Sequence, residues 1–144
     1  MAYTLDYYKN KKRQTENQIR DRRAQNARIQ QEITQLENAY NKLGKIKRTN
    51  ANNANAVRDN AKLSKVAGNV QWRGKSKKQF DDVMKNQVPS AAREFFNSID
   101  AMQDEVGRAL DRKRGEYDTG SQILNGLNRT LNNLAGIIRN WVNW

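Results

Sequence analysis

This 144-residue chain has no cysteine and no histidine, and it has a single proline, Pro89. Without thiols or imidazoles there is no disulfide, no thiol nucleophile and no His- or Cys-ligated metal centre. Apolar side chains are scarce as well: 36% of residues are hydrophobic and 8% aromatic, with a mean hydropathy of -1.07. A compact globule of this length needs a larger apolar fraction. No apolar run approaches the ~18–20 residues of a membrane-spanning helix. The basic stretch Lys9 to Arg13 is followed by no apolar segment, so no cleaved signal peptide is expected. Acidic residues are the minority charge, 15 against 27 Lys and Arg, giving a net charge of +12. Such a balance suits nucleic acid, an anionic surface or an acidic protein.

What is present is helical patterning. Residues 3–47 hold no proline and one glycine, Gly44, and are rich in Gln, Glu, Lys, Arg and Ala, all good helix formers. Apolar residues alternate at three and four: Ile29, Ile33, Leu36, Tyr40, Leu43. Backward, the register meets Ile19, Tyr8 and Leu5, but also Asn26, Arg22, Thr15 and Lys12. Forward, it meets Ala54, Val57 and Ala61 across an Asn-rich stretch, 49–60, expected to be a weak, fraying helix.

A second arm carries a longer register: Ala92, Phe96, Ile99, Val106, Leu110, Tyr117, Leu124, Leu127, Leu131, Leu134, Ile138 and Trp141. Gln103, Lys113 and Gly120 are its exceptions. The phase survives Gly115 and Gly120, which predicts one helix from about Ser90 to Trp141, softened at each glycine by roughly 1 kcal/mol. Pro89 disfavours helix at Val88. A short helix from about Lys75 to Asn86 should end before it, with Ser90 capping the next.

Trp72-Arg73-Gly74 lies at the midpoint, between the arms. Glycine accepts the positive φ of a tight corner, and Trp72 with Val70 and Phe80 can close the end of a hairpin. The expected fold is all-α: an elongated antiparallel helical hairpin forming one domain. Residues 1–71 form the first arm, 72–74 the turn, 75–88 a short helix and 89–144 the second arm. A turn at Arg73 pairs Leu5 with Trp141, Ile19 with Leu127 and Tyr40 with Val106. Polar seam residues then mostly face apolar ones, which leaves room for a third helix from another chain.

The tyrosines Tyr7-Tyr8, the Gln/Lys/Arg-rich first helix, the segment Val70-Gln71-Trp72-Arg73-Gly74 and then Phe80 resemble the WXG superfamily of bacterial type VII secretion. The similarity is to the small YwqH-like helical partners of LXG-type toxins. It implies a helical hairpin that binds the N-terminal helical region of its toxin and delivers it to the secretion machinery, as a targeting factor or chaperone. The family's export signal pairs an aromatic with an acidic residue four positions later. Tyr117 has Ser121 at that place, whereas Phe96 and Asp100 have the spacing and are the candidate signal, though mid-arm and within the seam.

Competing chemistry is poorly represented. Asp81-Asp82, Asp104-Glu105 and Glu116 with Asp118 sit among Lys and Arg and read as solvated, salt-bridging faces rather than an acid–base pair in a pocket. Gly115 to Gly120 lacks the spacing and lysine of a phosphate loop. The basic residues of the first arm are spread around the helix, and no nucleic-acid recognition module is visible. The stretch Leu131 to Trp144 is amphipathic enough for a membrane surface, but packing against Leu5 and Tyr8 or a partner helix is preferred.

The expectation is a non-enzymatic binding protein without metal or cofactor. Its partner surface is the seam: Ile29, Ile33, Leu36 and Tyr40 on the first arm, and Leu124, Leu127, Leu131, Leu134 and Ile138 on the second. The turn motif is Trp72, Gly74 and Phe80. The expected location is the cytoplasm, or the cell surface or medium by co-export without a cleaved signal. The alternative is a basic coiled-coil protein that binds nucleic acid or serves a structural assembly.

Overall fold

The computed structural model describes residues 3–67 and 75–143, which are helical except at 3–4 and 143, with no strand among them. Helix α1 spans Leu5–Ala67 and α2 spans Lys75–Asp82; a π-helical turn, Val83–Gln87, joins α2 to α3, Val88–Val142. The turn residues Trp72 and Gly74 lie outside the described residues.

Thr4 caps α1: its Oγ1 accepts a hydrogen bond from the Tyr7 N–H at 3.2 Å, satisfying one of the free donors of the first turn. Asp6 places a negative charge in that turn, against the positive end of the helix dipole. The Asn-rich stretch is helical throughout, since α1 runs through it to Ala67. Weak propensity has been overridden, as it often is.

Pro89 does not interrupt the helix as its sequence context predicts. Proline lacks an N–H and its ring crowds the carbonyl four residues back. Here the five-residue π turn lies just ahead of it, and the Val88 N–H donates to the Val83 carbonyl, the i to i−5 bond of a widened turn. Asp82 ties that turn down, accepting from Asn86 Nδ2 at 2.8 Å and Gln87 Nε2 at 3.3 Å. Pro89 falls in the first turn of α3, where a missing N–H costs little.

The chain divides into two compact units, Met1–Gln35 with Ala109–Trp144, and Leu36–Arg108. In the first, the start of α1 packs antiparallel on the end of α3: Ile19 neighbours Asn128 and Leu131, Asn26 meets Gly120, and Glu32 meets Lys113. Its buried side chains are Thr15, Ile19, Asn26, Ile33 and Leu110. In the second, Tyr40 lies against Gly107, Lys47 meets Asp100, and Asn50 reaches Ala92. This packing is antiparallel too, and Ile99 is its buried apolar residue. The neighbours of Ile19 and Tyr40 lie within a few residues of Leu127 and Val106, the partners predicted from a midpoint turn.

Candidate functional site

The predicted binding residues lie along the helix–helix seams of the two units. Ile33 is buried, at 5% exposure. Ile29, Leu36, Leu124, Leu127, Leu131, Leu134 and Ile138 are half-buried, each partly covered and partly open to solvent. Tyr40 is 40% exposed. Phe80 is half-buried in α2.

Asn26, Lys113 and Gln103 of the seam meet partners across the helices. In the first unit Asn26 is 7% exposed and faces Gly120, which is also buried. A Cβ at position 120 would overlap Asn26 Oδ1 and stand 3.0 Å from its Cγ, so only glycine leaves Asn26 its place. That Oδ1 has no hydrogen-bond partner. Thr15 is buried with its hydroxyl donating to the Lys11 carbonyl at 2.9 Å, a local bond available to threonine inside a helix. Lys113 Nζ lies 2.8 Å from Glu32 and 3.1 Å from Glu116. Hydrogen bonds that Lys113 donates to Glu32 and then Glu116 raise its pKa above the ordinary value, against a smaller opposing effect of burial.

In the second unit Lys47 is the hub. Its Nζ donates to Asp100 Oδ1 at 2.6 Å and to Gln103 Oε1 at 2.9 Å, and lies 5.1 Å from the centre of the Phe96 ring, within cation–π range. The other end of Gln103 donates to the Tyr40 carbonyl at 3.2 Å. Gly44 permits this: a Cβ there would stand 3.2 Å from Gln103 Nε2. Asn50 Nδ2 likewise donates to the Ala92 carbonyl at 3.0 Å. The candidate export pair, Phe96 and Asp100, is thus part of the Lys47 network.

Sequence reasoning missed Lys47 and Asn50 as seam residues, although both continue the alternation between Leu43 and Ala54. It also missed exposed apolar residues beside the seam. Ile46, Phe95 and Met102 are exposed in the second unit, and Ile123 and Ile137 in the first. The seven-residue step from Phe95 to Met102, and its double from Ile123 to Ile137, was the available signal.

Two hollows open on the first unit. One, of about 310 Å³, is lined by Glu16, Ile19, Arg20, Arg23, Asn128 and Leu131. The other, of about 400 Å³, is bordered by the three tyrosines near the start of α1, with Lys11, Thr15 and Leu134. Tyr3 stacks on Tyr7 with ring centres 4.2 Å apart, and Tyr8 meets Tyr7 edge-on at 5.4 Å. Near the start of α1, Lys12 reaches Glu16 at 3.7 Å and Arg20 reaches Asp21 at 3.8 Å, both exposed and weak.

Among the described residues no group of acidic side chains is arranged to hold a metal ion, and no helix is long and apolar enough to cross a membrane. Comparison with protein-family models, curated proteins and solved structures finds no match to this chain.

Proposed function

We propose that this chain is a non-enzymatic helical partner of a type VII secretion effector, binding the N-terminal helical region of an LXG-type toxin and promoting its export. The observation that carries the reading is the unequal seam of the first unit. Leu124, Leu127, Leu131 and Leu134 are only half-buried, and the α1 register opposite supplies Lys12, Thr15, Arg22 and Asn26 as well as Ile19. Covering such a leucine fully contributes about 1.5–3 kcal/mol, so a further apolar helix has much to gain there. The polar pairs then set register and partner choice. The Trp72-x-Gly74 motif and its place between two helical arms supply the link to secretion. The partner works in the cytoplasm and stays there or leaves with its cargo.

Export tests this directly. Trp72→Ala with Gly74→Ala should impair delivery of the effector while leaving most of the helicity in place. Normal export by that double variant contradicts the secretion role.

A second reading, nucleic-acid binding, draws on the eight Lys and Arg between Lys9 and Arg28. It predicts binding that falls steeply with salt, whereas an apolar helical interface survives it.

A further inference from the structure

We infer that the hollow over Ile19 and Leu131 in the first unit is a docking site for an acidic amphipathic helix of a partner protein. This rests on the reading of the chain as a binder of helical proteins, and it specifies the chemistry of the bound helix and where it sits.

The floor is apolar: Ile19 is buried and Leu131 half-buried. The rim is cationic. Arg20 and Arg23 both line the hollow, three residues apart on one face of α1. Arg23 makes no ion pair among the described residues, and the only one of Arg20 is its 3.8 Å contact with neighbouring Asp21, with both side chains more than 70% exposed. Glu16, the one acid on the rim, is engaged by Lys12. Asn128 adds an amide that can donate and accept.

The opposing helix offers no countercharge. No Asp or Glu occurs from Thr119 to Trp144, while Arg129 and Arg139 add positive charge. Apart from Glu16 and Asp21, which are already engaged by Lys12 and Arg20, carboxylates to complement this rim would come from another molecule. An arginine presents a planar fork suited to carboxylate, and opposite potentials across an interface favour the right partner and speed encounter. A second copy of this chain, itself at +12, would be repelled. Nucleic acid would satisfy the arginines but leave the half-buried Leu131 uncovered. A helix with a leucine-type side chain flanked by Glu or Asp engages both floor and rim.

The experiment is a fluorescence-anisotropy titration of the full chain with four probes. Three are synthetic helical peptides of equal length: leucines flanked by Glu, the same leucines flanked by Lys, and the Glu peptide with its leucines replaced by Ser. The fourth is a short DNA duplex. The Glu–Leu peptide should bind, the Lys–Leu peptide should not, and loss of the leucines should weaken binding about tenfold or more. Arg20→Gln with Arg23→Gln should weaken the Glu–Leu peptide at least about tenfold with unchanged circular dichroism. Arg20→Glu with Arg23→Glu should transfer binding to the Lys–Leu peptide. Equal binding of the Ser peptide, tighter binding of the duplex, or indifference to both double variants overturns the site. If a natural helical partner still copurifies with the Gln variant, this docking site is wrong and the partner reading stands. If none copurifies with the unaltered chain, the partner reading falls, and the titration still decides the chemistry of the hollow.

Discussion

Asn26 occupies the space that the missing side chain of Gly120 leaves. Any Cβ at position 120 would overlap the Asn26 carbonyl oxygen, in the buried seam of the first unit. A glycine inside a helix costs up to about 1 kcal/mol relative to alanine, and here it admits a polar side chain to the interface.

The glycines of α3 should therefore respond oppositely to one substitution. Nothing lies within 4 Å of a Cβ at Gly115, Gly126 or Gly136. Alanine at each should stabilise by about 0.8–1 kcal/mol. Gly120→Ala should destabilise by roughly 1–3 kcal/mol from overpacking, and Asn26→Ala should largely relieve that loss in the double variant. Urea unfolding of the four single variants and the pair checks the ranking.

Lys113 gives the fold a signature at alkaline pH. Its pKa is raised above the ordinary 10.5 by Glu32 and Glu116, so the folded chain holds the proton more tightly than the unfolded one. The stabilisation is complete below the unfolded value and lost as pH rises through the folded value. Lys113→Gln should lower stability at neutral pH and flatten the part of the alkaline decline due to this group. Parallel unfolding curves of the two proteins from about pH 8 to 12 test it.

Phe96 and Asp100 have two possible roles, and Lys47 separates them. If the pair acts through the seam, Asp100→Asn and Lys47→Gln should each destabilise by about 0.5–1 kcal/mol, with little added by combining them. Any export defect should then be shared by both variants. A defect confined to Phe96 and Asp100 variants, with Lys47→Gln exporting normally, would assign the pair to a signal.

The seam was legible because helical periodicity records which residues face a neighbour. The alternation marks the covered face: Ile19, Ile33, Ile99 and Leu110 are buried, Leu5, Tyr8, Ile29 and Leu124 half-buried, and even its polar members Thr15 and Asn26 are buried, while Tyr40, Phe96 and Trp141 of the same registers stay exposed. Periodicity does not record what each residue meets. Asn26 and Gln103 read as mismatches, and Gly120 as a soft point, because the fit between an amide and a missing side chain arises between residues 59 or more positions apart. At Pro89, local rules place a helix end. They carry no information on the π turn, which depends on Asp82 holding Asn86 and Gln87.

A helical protein partner held through an apolar interface should withstand high salt. The most direct measurement is copurification of the tagged chain, co-expressed with its neighbouring genes, in about 1 M salt, where the screening length falls to about 3 Å. A stoichiometric helical protein should survive this wash and be lost with Leu127→Asp. Nucleic acid alone, released by the salt and leaving no bound protein, would contradict it.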